Sequence, residues 1–448
     1  MKIIVIGAGL AGITIANSLS DLNFDVVLIE SGNKQSVPDK SHKYLFKKFN
    51  SNITNGIGLG GTTKFWHSGM TSIKYKAYSS KTPFEVSNLF KSLEKRYYAK
   101  AIKLISPNNS KAIFSALTFY KNKNTHIYYP NTNYSPIPSQ RITLFLNANI
   151  KKIKTHGGSF VGIEISSPKG RAYISGDFLI ISGGGLGSPK LVREFFPLSN
   201  KSHTGKMLID HPMNFVGKIL ITKKSKLKIS GIKKLSDGIV RTGYVISNNH
   251  SSARHLIFLR PCFDFKLRKN IIRKKLEVYS LYKKKSFFKL LIKLFDLDII
   301  SEMLYTKFNF DFKTKYYSVF AMIDQSPSKL NLINYTNQSK AISWNLSKSD
   351  FVDFKKALNN FIRLNRLLYI EDPNAFSDFV SAAHYSNTCS IGNSIKSAVV
   401  DSDLKLFGYS NVFVCDGSVV PRNSAVNTGL TILAMSLRLC DFISKGPN

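Results

Sequence analysis

The chain has 448 residues, 43% hydrophobic and 20% charged, which excludes wholesale disorder and exceeds the usual size of one domain. Lys and Arg number 64 against 27 Asp and Glu, a net charge of +37, so a polyanion or an anionic membrane surface is a credible neighbour. A coding bias toward Lys, Ile and Asn accounts for the lysines but not for the shortage of acids, so functional surface and drift both stay open.

The first element is an apolar strand that runs into Gly7-Ala8-Gly9-Leu10-Ala11-Gly12, followed by an amphipathic helix and a second strand over Asp25 to Ile29. This strand–GxGxxG–helix–strand order is the dinucleotide-binding fingerprint. Gly7 permits the tight turn, Gly9 lets the backbone approach a pyrophosphate, and Gly12 lets helix and strand pack closely. The helix N-terminus offers N–H groups and partial positive charge to the phosphates. Glu30 closes the second strand, where a carboxylate accepts ribose hydroxyls. These residues alone leave FAD and NAD undistinguished.

Further segments follow in order. Gly58-Leu59-Gly60-Gly61-Thr62-Thr63-Lys64-Phe65-Trp66 is a second glycine motif. Asn147-Ala148-Asn149-Ile150, Ser182-Gly183-Gly184-Gly185-Leu186-Gly187-Ser188-Pro189 and Gly205-Lys206-Met207-Leu208-Ile209-Asp210-His211-Pro212 come next. Near the C-terminus stand His384-Tyr385-Ser386-Asn387-Thr388-Cys389, Val400-Asp401-Ser402-Asp403-Leu404, Asn411 to Ser418 with its Asp416-Gly417-Ser418 turn, and Asn427-Thr428-Gly429-Leu430-Thr431. In this order the segments resemble the glucose–methanol–choline (GMC) oxidoreductases, and the GGTT-x-x-W form looks most like the sugar-oxidising branches. Residues 70 to 135 and 215 to 315 match nothing specific.

The resemblance implies an α/β fold: a Rossmann-like FAD-binding domain with an inserted α+β substrate domain floored by an antiparallel sheet. Residues 1-75, 136-214 and 385-448 are expected to bind FAD, and 76-135 and 215-384 the substrate. The run Met322 to Asn334, with Ser343-Trp344, looks like the paired strands of that floor. It also implies roles. Gly60, Gly61, Thr62 and Thr63 lie along the flavin, and the backbone of Ile150 meets the adenine. Asp416 and Gly417 stand near the ribityl–pyrophosphate region, and Thr428 with the last helix faces the flavin N1/O2 edge. His384 is the expected base for the hydroxyl proton, because a neutral imidazole accepts a proton near neutral pH. Asn427 holds the substrate oxygen and cannot relay a proton. Relatives with covalent flavin carry a His just before the Trp, where this chain has Phe65, so non-covalent FAD is expected. His67 is read as structural, and no metal is expected.

Residues 266 to 295 place Lys285, Lys289 and Lys293 on one helical stripe, opposite Phe287, Leu290, Leu291, Leu294 and Phe295. An interfacial helix over 283-295 on an anionic membrane and an ordinary helix with solvated lysines both fit. Cys262, Cys389, Cys415 and Cys440 form no CxxC pair, and no apolar run reaches membrane-spanning length, so a cytoplasmic protein, peripheral on the inner membrane face in the first reading, is expected. The expected activity is oxidation of CH–OH in a small-molecule alcohol, a sugar or a lipid-linked sugar, by hydride transfer to flavin. The acceptor stays open among oxygen, a quinone and a protein. The rival readings are a GMC-fold flavoprotein with lyase-like chemistry and a basic membrane- or polyanion-binding protein with vestigial FAD; no specific nucleic-acid motif is present.

Overall fold

The N-terminal apolar strand, Lys2–Ile6, becomes the centre of a five-stranded parallel sheet because both its faces are buried. The sheet order is Val412–Val414, Phe178–Ile181, Lys2–Ile6, Asp25–Ile29 and Thr143–Phe145, so strands from the two ends of the chain flank Phe178–Ile181. The computed structural model describes residues 1–39, 42–44, 55–66, 68–72, 84–118, 124–229, 231–249, 251–283, 295–335, 340–422 and 427–446. His67 and the lysines 285, 289 and 293 lie outside the described residues.

Five helices matter below: α1 (Leu10–Asp21), α2 (Gly184–Phe195), α3 (Leu297–Thr306), α4 (Lys348–Leu364) and α5 (Gly429–Ser444). Helices α1 and α5 pack on each other against the parallel sheet; Ile13, Ile15, Leu19, Leu433 and Leu439 are fully buried there. Burying a side chain of this size contributes about 1.5–3 kcal/mol each.

A second sheet is antiparallel throughout, in the order Lys233–Lys234, Gly238–Ile246, His255–Pro261, Tyr316–Met322, Met213–Leu220 and Leu368–Glu371. Asn124–Pro130 also pairs with Gly238–Ile246. Strand alternation divides its residues between two faces. Ile257, Leu259, Val319 and Ala321 share one core with Phe354, Ala357 and Leu358 of α4. Phe258, Phe320 and Met322 point the other way, into the cleft described below.

This sheet is the floor, and its position differs from the one read in the sequence. Met322 ends a floor strand, but Leu332–Tyr335 and Lys340–Ser343 pair with each other and with His42–Tyr44 in a separate small sheet. Trp344 is buried with Ile333 and Ile342 beside that small sheet. The apolar alternation that marks a strand does not say which sheet it joins.

Candidate functional site

A cleft of about 1590 Å³ runs from the carboxyl ends of the parallel strands to the floor sheet. Ligands in open α/β sheets bind at such strand ends. Gly7 sits there with φ +100°, and a Cβ on it or on Gly12 would overlap backbone: Ser182 O at 2.4 Å for Gly7 and Gly7 O at 1.8 Å for Gly12. A Cβ on Gly9 would instead enter open space, since nothing lies within 4 Å of it, and Gly9 lines the cleft. Gly9 caps α1 without a side-chain hydrogen bond, and neither Gly183 before α2 nor Thr428 before α5 supplies one. Three helix N-termini therefore present N–H groups and about half a positive charge each to one cleft. That cradle fits the pyrophosphate and flavin of the FAD that the sequence resemblance implies.

Carboxylates fix the loops around the cradle. Glu30 accepts N–H groups from Ala8 at 2.8 Å, Gly32 at 2.8 Å and Gly58 at 3.1 Å, tying the first glycine turn to the second glycine motif. Asp416 accepts Gly184 N–H at 2.7 Å, the Ser188 hydroxyl at 2.5 Å and Ser418 N–H at 2.7 Å, which joins the Ser182–Pro189 turn to the C-terminal turn. Burial pushes the Asp416 carboxyl up, against those donors.

His384 and Asn427 enter from separate loops. His384 Nδ1 lies 2.6 Å from His211 Nε2, and the two rings are 4.4 Å apart. Asp210 sets this pairing. It accepts the backbone N–H of His211 at 2.8 Å, of His384 at 3.1 Å and of Ala383 at 3.1 Å, and it also accepts the Ser381 hydroxyl. Ala383 takes φ +57° to do so, an uncommon conformation for a non-glycine residue. Burial pushes the His384 imidazole below the usual histidine value, against the pull of Asp210, and burial pushes His211 lower still. Asp210, His211 and His384 are close enough to suggest a metal, but Asp210 is held by N–H and O–H donors and the rings by each other. Asn427 Nδ2 donates to Gly69 O at 2.7 Å, and Trp66 lies against Gly429 at the start of α5.

Twelve of the fourteen residues singled out in the sequence line this one cleft: Gly7, Gly9, Glu30, Gly61, Thr62, Thr63, Ile150, His384, Asp416, Gly417, Asn427 and Thr428. Gly12 and Gly60 stand behind the lining, Gly12 against Gly7 and Gly60 as the left-handed cap of the 3-10 turn Gly61–Lys64.

A family model described as GMC oxidoreductase matches residues 368–436. A putative truncated, inactive GMC-type oxidoreductase of Acanthamoeba polyphaga mimivirus is 38% identical over 64 residues, 14% of this chain and 73% of that protein. The chain belongs to the GMC oxidoreductase family. Cholesterol oxidase of Acinetobacter baumannii is 29% identical to this GMC chain over 123 residues, 23% of the chain and only 22% of that enzyme. Among solved structures, pyridoxine 4-oxidase from Mesorbium loti superposes with a TM-score of 0.61 at 12% identity, covering 100% of both chains. A formate oxidase of Aspergillus oryzae gives 0.56 at 13%, covering 99% of this chain and 98% of its own. At such identities the two structures establish the fold alone.

Sequence reasoning on this GMC chain gave no role to His211, although the Asp210-His211-Pro212 segment that signals it was in view. Arg241, Arg260, Glu302 and Tyr305 also line the cleft, at its floor end. They fall inside 215 to 315, where no motif marks them, and only strand pairing brings Arg241 and Arg260 to one face.

Proposed function

We propose that this protein binds FAD without a covalent link and oxidises a CH–OH group of a small-molecule alcohol. The observation that carries the reading is His384, a half-buried imidazole that desolvation pushes below the usual histidine value, on the wall of the same cleft as three helix N-termini whose cap residues give no side-chain hydrogen bond. Segments 1-75, 136-214 and 385-448 would hold the cofactor, and 76-135 and 215-384 the substrate. When bound, FAD supplies the hydride acceptor.

The residues of this chain do the rest. At 2.6 Å, one proton is shared between His384 Nδ1 and His211 Nε2. With that proton on His384, its Nε2 carries the lone pair that takes the hydroxyl proton. Asn427 is anchored through one Nδ2 N–H to Gly69 O, and its second N–H can donate to the substrate oxygen and orient it. Thr428 and α5 put positive dipole where negative charge develops on the cofactor. Phe65 lines the cleft where a covalent attachment would need a nucleophile. The name of the cholesterol oxidase supports oxidation as the reaction class. The GGTT motif supports a sugar or lipid-linked sugar as the alcohol.

The test is anaerobic bleaching of the flavin across a panel of neutral, acidic and lipid-linked sugars and simple alcohols. Bleaching by an alcohol, lost in His384→Ala, supports the reading. A yellow protein that none of them bleaches would favour non-redox chemistry on the same fold.

A further inference from the structure

The floor end of the cleft has an imbalance of charge. Among the described residues, Arg241, Arg260, Lys275 and Lys307 line it against one carboxylate, Glu302, four positive charges to one negative. Glu302 is buried and both its cationic partners meet one oxygen: Arg260 donates to Oε1 and Lys275 Nζ lies 3.1 Å from it, while Oε2 has no hydrogen-bond partner. Burial works to raise the Glu302 carboxyl, yet Arg260 and Lys275 outweigh it and hold it below the ordinary value.

Arg241 is left without an anion. It is only 8% exposed, and among the described residues it forms no ion pair with a carboxylate. Its hydrogen bonds all leave from Nη2, to Tyr305 O at 3.2 Å, Thr306 O at 3.1 Å and Asn309 Oδ1 at 2.8 Å. The guanidinium carbon lies 4.7 Å from the Tyr129 ring centre and 5.1 Å from that of Tyr305. Nε is buried with no hydrogen-bond partner.

Capping the C-terminus of α3 explains the two carbonyl contacts, but a helix end carries only about half a negative charge. It leaves about half of the guanidinium charge uncompensated, and an unpaired buried charge is costly. The surroundings otherwise suit an organic ligand, because Phe258, Phe320, Met322 and Ile239 carpet the same floor. A planar guanidinium clamped on tyrosine faces is suited to a carboxylate or phosphate.

We propose that the substrate carries an anionic group, a carboxylate or a phosphate, that pairs with Arg241 at the floor of the cleft. The inference rests on the reading that this end of the cleft receives the alcohol, and it narrows the substrate class to acidic alcohols.

Two measurements on the FAD-bound protein test it. The first is calorimetric titration with inorganic phosphate and with acetate at constant ionic strength, in wild type, Arg241→Met and Arg241→Lys. Truncating a buried charge partner should weaken one site by at least about 30-fold in the Met variant, with partial retention in the Lys variant. The stronger of the two probes identifies phosphate or carboxylate chemistry. The second is anaerobic bleaching of wild type by a neutral sugar, its uronate and its sugar phosphate, where an acidic member should react faster at equal, sub-saturating concentration.

Anion binding that depends on Arg241, with no alcohol bleaching the flavin, would retain the anion site and remove alcohol oxidation. Bleaching by neutral alcohols as fast as by acidic ones, with anion binding equal in wild type and Arg241→Met, would overturn the anionic class and leave alcohol oxidation standing. If neither variant folds, the preference between neutral and acidic alcohols in wild type decides.

Discussion

In the proposed reaction His384 is the base: burial pushes its imidazole below the usual histidine value, and Asp210 fixes the backbone on both sides of the His384–His211 contact. His384→Ala should slow flavin reduction by about 10²–10⁴-fold while FAD content is retained; unchanged rates would remove His384 from the mechanism. A base works unprotonated, and this one titrates below the ordinary histidine value. Reduction rates should therefore rise through a midpoint below about pH 6.5 and hold a plateau above it, as stopped-flow profiles would show. The same depression bears on stability. The unfolded chain binds protons at both imidazoles near pH 6.5 whereas the fold resists them, so stability is full above about pH 6.5 and is lost as pH falls toward the folded values. Melting temperature measured from pH 7.5 to 5 should fall, with a shallower slope in His211→Leu.

Among the elements, α1 shows how a helix start is shaped for a ligand. Gly7 and Gly12 are glycines because backbone fills the space of a side chain, whereas a side chain at Gly9 would project into the open cleft, where the proposed cofactor would lie. Gly9→Val should thus fold around its intact strand and helix but purify without yellow colour; a variant with full FAD content would detach Gly9 from the cofactor site. The segment carrying Lys285, Lys289 and Lys293 is followed by Phe295, 72% exposed, and Leu297, 44% exposed. On an anionic bilayer each lysine contributes about 1 kcal/mol, so the triple Gln variant should bind vesicles about two orders of magnitude more weakly. Wild type that ignores phosphatidylserine vesicles at low salt would leave these lysines as a solvated surface. No helix among the described residues is long and apolar enough to cross a membrane.

For the molecule as a whole, the floor sheet is joined to its covering helices by buried charge as well as by apolar packing. Lys218 of the floor strand Met213–Leu220 and Lys274 of the helix Ile271–Lys283 both pair with Asp298 of α3, at 2.8 and 2.7 Å, with all three side chains nearly inaccessible. Asp298→Asn would leave Lys218 with Asp264 at 3.1 Å and Lys274 with Asp296 at 2.9 Å as their remaining carboxylates, and should cost about 2–3 kcal/mol in urea unfolding. A loss below about 1 kcal/mol would mean that water reaches the cluster. The linear pattern by itself determined the dinucleotide half, because a strand, a glycine turn and a helix start are local, and short-range sterics dictate each of them. It also marked His384 and Asn427, through motifs whose partners lie far off in the chain. Only the tertiary structure decided which strands form the floor, since alternation records a buried face and not its neighbour. Tertiary structure likewise brought His211 to His384 across 173 residues, and Arg241 to the end of α3. Long-range pairing of this kind follows from packing the whole chain: the Asp210-His211-Pro212 segment marks His211 without naming its partner, and nothing local marks Arg241.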